Sequence, residues 1–174
     1  MSGPRREQTI NERQEEVAER RPVTALAIRE AEAADLETII RLHEEDDLGG
    51  HGDVWAPEHR PAYEAAFAAI ERSAENLLFV AERDGRIVGT FQLTFIPSLT
   101  GRGALRVKVE SVKVGSALRS QGIGAALMAR AEIEARLKGA QLIELTSNKV
   151  RGNAHRFYER LGFARSHEGF KKKL

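Results

Sequence analysis

The chain contains no cysteine among its 174 residues. Disulfides, thiolate-bound metals and a cysteine nucleophile are therefore excluded. It has no apolar run near the roughly 18 residues that a membrane span requires, and no apolar signal region near its start. Neither sign of charge dominates: 27 Lys and Arg stand against 26 Asp and Glu, a formal net charge of +1. That balance gives no general attraction to nucleic acid or to an anionic membrane, so neither is expected as a partner. Tryptophan occurs once, at Trp55, as a pocket wall or a core anchor. What is present, 41% apolar and 30% charged residues, is the composition of one soluble domain, expected in the cytoplasm.

Residues 1–22 differ from the rest. They are rich in Arg, Glu and Gln and offer only Ile10, Val17 and Ala18 to a core. A disordered or frayed arm is expected there, with residues 23–174 as a single domain. A short strand is expected over Leu26–Arg29. Asp35 is placed to N-cap a helix with Leu36, Ile39, Ile40 and His43 on one face. Pro57 and Pro61 open a second helix, with Tyr63, Phe67 and Ile70 on its stripe. Strands over Leu77–Ala81 and Ile87–Phe95 flank Asp84-Gly85, a strong hairpin signal. Leu105–Val114 reads as a strand and the segment from Gly122 to Lys138 as a helix, with Ile123, Ala126, Leu127, Ile133 and Leu137 at helical spacing. Leu142–Leu145, Asn153–Leu161 and Phe163–Lys173 read as strand, helix and one or two closing strands. The order β-α-α-β-β-β-α-β-α-β predicts an α/β (α+β) fold: a mixed central β-sheet flanked by helices.

The richest segment is the strand-to-helix turn carrying Arg119, Ser120, Gln121, Gly122, Ile123, Gly124 and Ala125. The first amides of a helix lack partners, and the helix dipole places roughly half a positive charge there. Gly122 and Gly124 remove Cβ atoms that would keep a phosphate from those amides, and Arg119 adds a full charge. Close packing of the helix is an equally good reason for two glycines. No Gly-Lys-Ser/Thr follows, so the turn is not a nucleotide P-loop, and it lacks the three-glycine dinucleotide pattern.

Arg119, Gly122 and Gly124 match the Arg/Gln-x-x-Gly-x-Gly/Ala motif of the GNAT superfamily of acetyl-CoA-dependent N-acetyltransferases, which the chain resembles over residues 26–174. Phe157-Tyr158-Glu159-Arg160-Leu161-Gly162-Phe163 is similar to that family's second motif, with Ala154 upstream. The resemblance implies acetyl-CoA as cosubstrate and direct attack of an amine on the thioester. It implies Tyr158 near the coenzyme sulfur, and the backbone of Val112, Lys113 and Val114 facing the thioester and pantetheine, Val112 N–H as the oxyanion donor. Homodimers are common in the family. Many members carry Asn seven residues before the Tyr; that position is Arg151 here, and Asn148 and Asn153 are the nearby candidates for the pantetheine contact. The stretch from Thr146 to Tyr158 looks most like acetyltransferases of small-molecule amines, aminoalkylphosphonates included. A protein or peptide acetyltransferase and a non-catalytic coenzyme A-binding module are the alternatives.

The chemistry needs a base, because an alkylamine of pKa near 10.4 is neutral only about once in a thousand at pH 7.4, a deficit of roughly 4 kcal/mol. Glu110 is the candidate, read by strict alternation as sharing a face with Val112 and Val114; a charged residue on a solvated face is its plain reading. Tyr158 can protonate the departing thiolate. The acidic stretch His43-Glu44-Glu45-Asp46-Asp47, with His51 and Asp53, could attract a cationic amine, the acceptor being a small molecule. No metal is expected, since the spacing of His43, Asp47 and His51 is not diagnostic. His155, Arg156 and His167 could meet an acidic group on the acceptor, and Lys171-Lys172-Lys173 reads as a solvated edge.

Overall fold

The computed structural model describes residues 25–45 and 52–174. The expected N-terminal arm lies outside them, as do Asp46, Asp47 and His51 of the acidic stretch. Five strands form one sheet in the order of the chain: β1 (Ala27–Glu30), β2 (Asn76–Arg83), β3 (Arg86–Pro97), β4 (Leu105–Val114) and β5 (Leu142–Leu145). The first three junctions are antiparallel and β4–β5 is parallel, so the sheet is mixed. Asp84 and Gly85, both at positive φ (55° and 69°), make the tight turn between β2 and β3 that the Asp-Gly pair predicts.

Pairing register divides the apolar residues between two faces. Phe79 stands opposite Phe91 and Leu77 opposite Leu93. With Phe95, Val107 and Val109 they meet α3 (Ile123–Leu137), which buries Ile123, Leu127, Met128 and Ala131. The Phe79 and Phe91 rings stack at 4.9 Å, a cross-strand pair contributing about 0.5–1 kcal/mol. Ile133 and Leu137 point the other way and are more than half exposed, so the helical spacing overcounts the buried stripe by two. On the opposite face Leu78 packs with Leu36 and Ile40 of α1 (Leu36–Glu44) and Phe67 of α2 (Arg60–Glu71). Trp55 packs against this second cluster, stacked on Tyr63 with Arg60 over its ring, and it also lines the cavity between Ala33–Glu37 and α2, so it is both core anchor and pocket wall.

Two expectations are corrected. Asp35 makes no side-chain cap on α1. Its buried carboxylate instead accepts from the Glu32 amide (2.8 Å) and takes a two-pronged bond from Arg29 of β1 (2.6 and 3.0 Å). The closing strands over Phe163–Lys173 are absent: that segment pairs with no strand. Beyond Phe163 the chain offers few apolar residues, and Phe170 and Leu174 lie fully in solvent, so no buried face rewards pairing. The final helix, α4 (Gly152–Arg160), packs Phe157 and Tyr158 against the α3 side of the core.

Candidate active site

The parallel crossover β4–α3–β5 determines the geometry. β4 and β5 are paired from Arg106–Leu142 to Val109–Leu145, and there the ladder stops. From Glu110 to Val114 no strand among the described residues lies along the outer edge of β4. On its other edge β4 carries a bulge. Thr90 pairs with Lys113 and Gln92 with Glu110, so Phe91 alone stands opposite Ser111 and Val112. Ser111 takes φ 55° to allow this. The extra residue inverts the alternation. Val112 and Val114 therefore pack on the core side with Val107 and Val109, while Glu110 faces the opposite side beside Gln92. This overturns the expectation that Glu110 shares a face with Val112 and Val114. Its carboxylate is held 2.7 Å from the Lys108 ammonium, both side chains part-exposed.

At the end of β4 the chain enters the glycine turn. Gly115 donates to Val88 O (3.0 Å), and the Ser116 amide donates to a Glu45 carboxylate oxygen (2.7 Å), tying the turn to the residue after α1. Gly122 is the N-cap residue of α3 at φ 82°, a region that L side chains rarely adopt, and a Cβ there would meet nothing within 4 Å. Gly122 has no side chain with which to cap the helix. The first amide with an in-helix acceptor is that of Ala126, leaving the Ile123, Gly124 and Ala125 amides for an anion. Arg119 and Ser120 are exposed beside them. Gln121 accepts from the Arg83 guanidinium at the end of β2 (3.0 Å). Arg83 thus stands as a second cation near the turn, a neighbour that only the hairpin topology reveals.

The two glycines have different reasons. A Cβ on Gly124 would lie 3.2 Å from the Phe157 ring, so this glycine lets α4 seat closely on α3. The contact joins the two sequence motifs physically. Tyr158, next to Phe157, packs edge-on to Phe157 (5.1 Å) and Phe163 (5.9 Å). Burial pushes its phenol up from the ordinary value, with the Arg151 charge opposing, so the hydroxyl keeps its proton at neutral pH. Among the described residues the hydroxyl has no hydrogen-bond partner, so it is not consumed by a backbone contact.

The remaining predicted residues sit at the mouth of α4. Asn148 accepts from the Val150 amide (3.2 Å), and its carbonyl bonds the Arg151 amide and the His155 ring. Asn153 bonds Arg156. Both asparagines are exposed. His167 bonds Ser166, and Lys171–Lys173 are exposed. A cavity of about 440 Å³ lies elsewhere, between Ala33–Glu37 and α2, lined by Leu36, Trp55, Glu64 and Phe67 among others and by none of the predicted site residues. No helix among the described residues is long and apolar enough to cross a membrane.

Residues 28–163 match the profile of the Acetyltransferase (GNAT) family. The chain is 40% identical over 95 residues to an aminoalkylphosphonate N-acetyltransferase of Salmonella typhimurium, covering 55% of this chain and 61% of that one, under two thirds of the relative's length. It is 33% identical over 141 residues to a glucosamine 6-phosphate N-acetyltransferase of Trypanosoma brucei brucei, covering 77% and 92%. A solved structure described as a transcriptional regulator from Bacillus halodurans C-125 superposes with a TM-score of 0.82 at 41% identity, covering 86% of this chain and 100% of that chain. The chain belongs to the GNAT family of acetyltransferases, whose acyl donor is acetyl-CoA.

Proposed function

We propose that the chain transfers an acetyl group from acetyl-CoA to the primary amine of a small molecule. One observation carries this reading: the uncapped turn at Gly122 and the Phe157-Tyr158 pair are locked together through Gly124, beside the unpaired edge of β4. The donor supplies the acetyl group as a thioester. In this proposal Arg119, Ser120, Gln121 and the amides of Ile123, Gly124 and Ala125 hold its diphosphate. The open edge of Val112, Lys113 and Val114 takes the pantetheine, with Asn148 or Asn153 closing on its far side. The Val112 amide polarises the thioester carbonyl. Glu110, on the face of β4 away from α3, takes a proton from the acceptor ammonium once Lys108 is displaced. As the C–N bond forms and the C–S bond breaks, the Tyr158 hydroxyl returns a proton to sulfur. The ammonium loses two protons in all, sulfur gains one, and one is released to solvent.

The small-molecule acceptor is supported by the two N-acetyltransferase relatives, whose named substrates are an aminoalkylphosphonate and a hexosamine phosphate. The same proposal places the protein in the cytoplasm as a homodimer, which light scattering would read as twice the 19.3 kDa chain mass. The test is thiol release from acetyl-CoA with matched panels of small amines and of peptides. The cysteine-free chain adds no thiol background. Turnover confined to small amines supports the reading. Turnover confined to peptides, or coenzyme binding with no acceptor at all, overturns it.

A further inference from the structure

The face of β4 away from α3 carries charge in opposed pairs. Lys108 holds Glu110 at 2.7 Å, and Arg106 holds Glu144 of β5 at 3.3 Å. One atom in this strip is left over: the Arg106 Nε is buried without a partner. Gln92, directly across from Glu110, is half-buried, and its amide makes no hydrogen bond among the described residues. A strip with an unused amide beside a solvent-reachable ion pair is polar beyond its own needs, since buried polar atoms are ordinarily satisfied. It also ends where the β5 ladder stops, beside the edge of β4 to which the proposed function assigns the pantetheine and thioester.

We propose that Lys108 is the acceptor-specificity residue, and that the acceptor is a zwitterion whose oxyanion pairs with Lys108 while its ammonium pairs with Glu110. This deepens, and rests on, the small-molecule amine reading. The physical case is one of exchange. Alternate residues of a strand lie about 6.7 Å apart at Cα and point the same way. An amine separated by two or three carbons from a phosphonate or similar oxyanion is the mirror of this pair in charge, and of comparable span. Binding it replaces one ion pair with two, so neither Lys108 nor Glu110 is left uncompensated. A neutral-tailed amine instead takes Glu110 and leaves the Lys108 ammonium only Glu144, its register partner on β5, which Arg106 already holds; two cations then share one carboxylate. The Gln92 amide, with donors and an acceptor, can serve either end of the ligand.

The test pairs 2-aminoethylphosphonate with n-propylamine, using wild type and Lys108→Met, which keeps the aliphatic stem. Each is assayed for thiol release, and phosphonate binding to the CoA-loaded protein is titrated by calorimetry. Wild type should prefer the phosphonate, and Lys108→Met should lower the phosphonate-to-propylamine ratio of kcat/KM at least tenfold, through KM, with a matching loss of binding. Lys108→Arg should restore most of the ratio. A wild type that acetylates propylamine as readily as the phosphonate, or a ratio unchanged in Lys108→Met, overturns the proposal and leaves the amine reading standing. If no small amine is turned over but the phosphonate binds in a Lys108-dependent way, the amine reading fails and the subsite stands. Neither turnover nor binding removes both.

Discussion

Replacing Tyr158 with Phe isolates one proton. The ring's contacts, edge-on to Phe157 at 5.1 Å and to Phe163 at 5.9 Å, survive the substitution. The hydroxyl has no partner among the described residues to leave unsatisfied, so stability should change by under about 0.5 kcal/mol. The chemistry should not be spared. A thiol near 8.5 leaves against a phenol near 10, an uphill transfer of about 2 kcal/mol, and burial of Tyr158 makes that step somewhat steeper. Without the phenol, water must serve, and positioned proton donors are worth about 10²–10⁴ in rate. Thiol-release kinetics should therefore show kcat falling on the order of 10²-fold, with coenzyme affinity by calorimetry unchanged within a few fold. Because the phenol is shifted upward, wild-type kcat should hold on the alkaline side through pH 9. Turnover within threefold of wild type would remove Tyr158 from the mechanism. A collapse of the melting temperature would show that the hydroxyl is structural instead.

Other perturbations probe the frame. Gly89→Ala places a Cβ 2.8 Å from the Lys113 carbonyl and 3.2 Å from Leu127 on α3; backbone cannot yield cheaply, so chemical denaturation should show a loss of about 1–3 kcal/mol. Gly122→Ala meets no atom but forces Ala to positive φ, so about 1–2 kcal/mol of stability should be lost, together with coenzyme affinity measured by calorimetry. Asp35→Ala severs the Arg29 fork and the Glu32 bond, costing about 1–2 kcal/mol after allowance for the part-exposed guanidinium and lowering Tm by about 2–8 °C in calorimetric scans. Arg29 holds the Asp35 carboxyl below its ordinary value, so that stabilisation is complete above about pH 4 and fades as pH falls through the folded value. The difference between wild type and Asp35→Ala should accordingly shrink in acid.

What could be read from the sequence was whatever rests on local chemistry. Asp84-Gly85 announces its turn because both residues tolerate positive φ. The boundaries Leu105–Val114 and Leu142–Leu145 follow from recurring apolar residues set between turn residues. The face of Glu110 was misread by strict alternation: valines stand at 107 and 109 and then at 112 and 114, a phase slip that the positive-φ Ser111 bulge produces and that returns all four to the core side. The partner of Gly124 was hidden for another reason. Its ring lies 33 residues on, and only the seating of α4 on α3 reveals that this glycine serves packing while Gly122 serves backbone conformation. In the sequence Lys108 and Arg83 are indistinguishable from other surface cations; the fold sets them beside Glu110 and Gln121. The expected closing strands over Phe163–Lys173 do not form, because the segment has few apolar residues to bury against a neighbouring strand.

Calorimetric titration of the wild-type protein with coenzyme A tests the central claim most directly. The account predicts one site per chain with micromolar affinity, weakened at least tenfold by Arg119→Ala and by Gly122→Val while the fold is retained. A flat titration of folded wild-type protein would contradict it, as would binding indifferent to both substitutions.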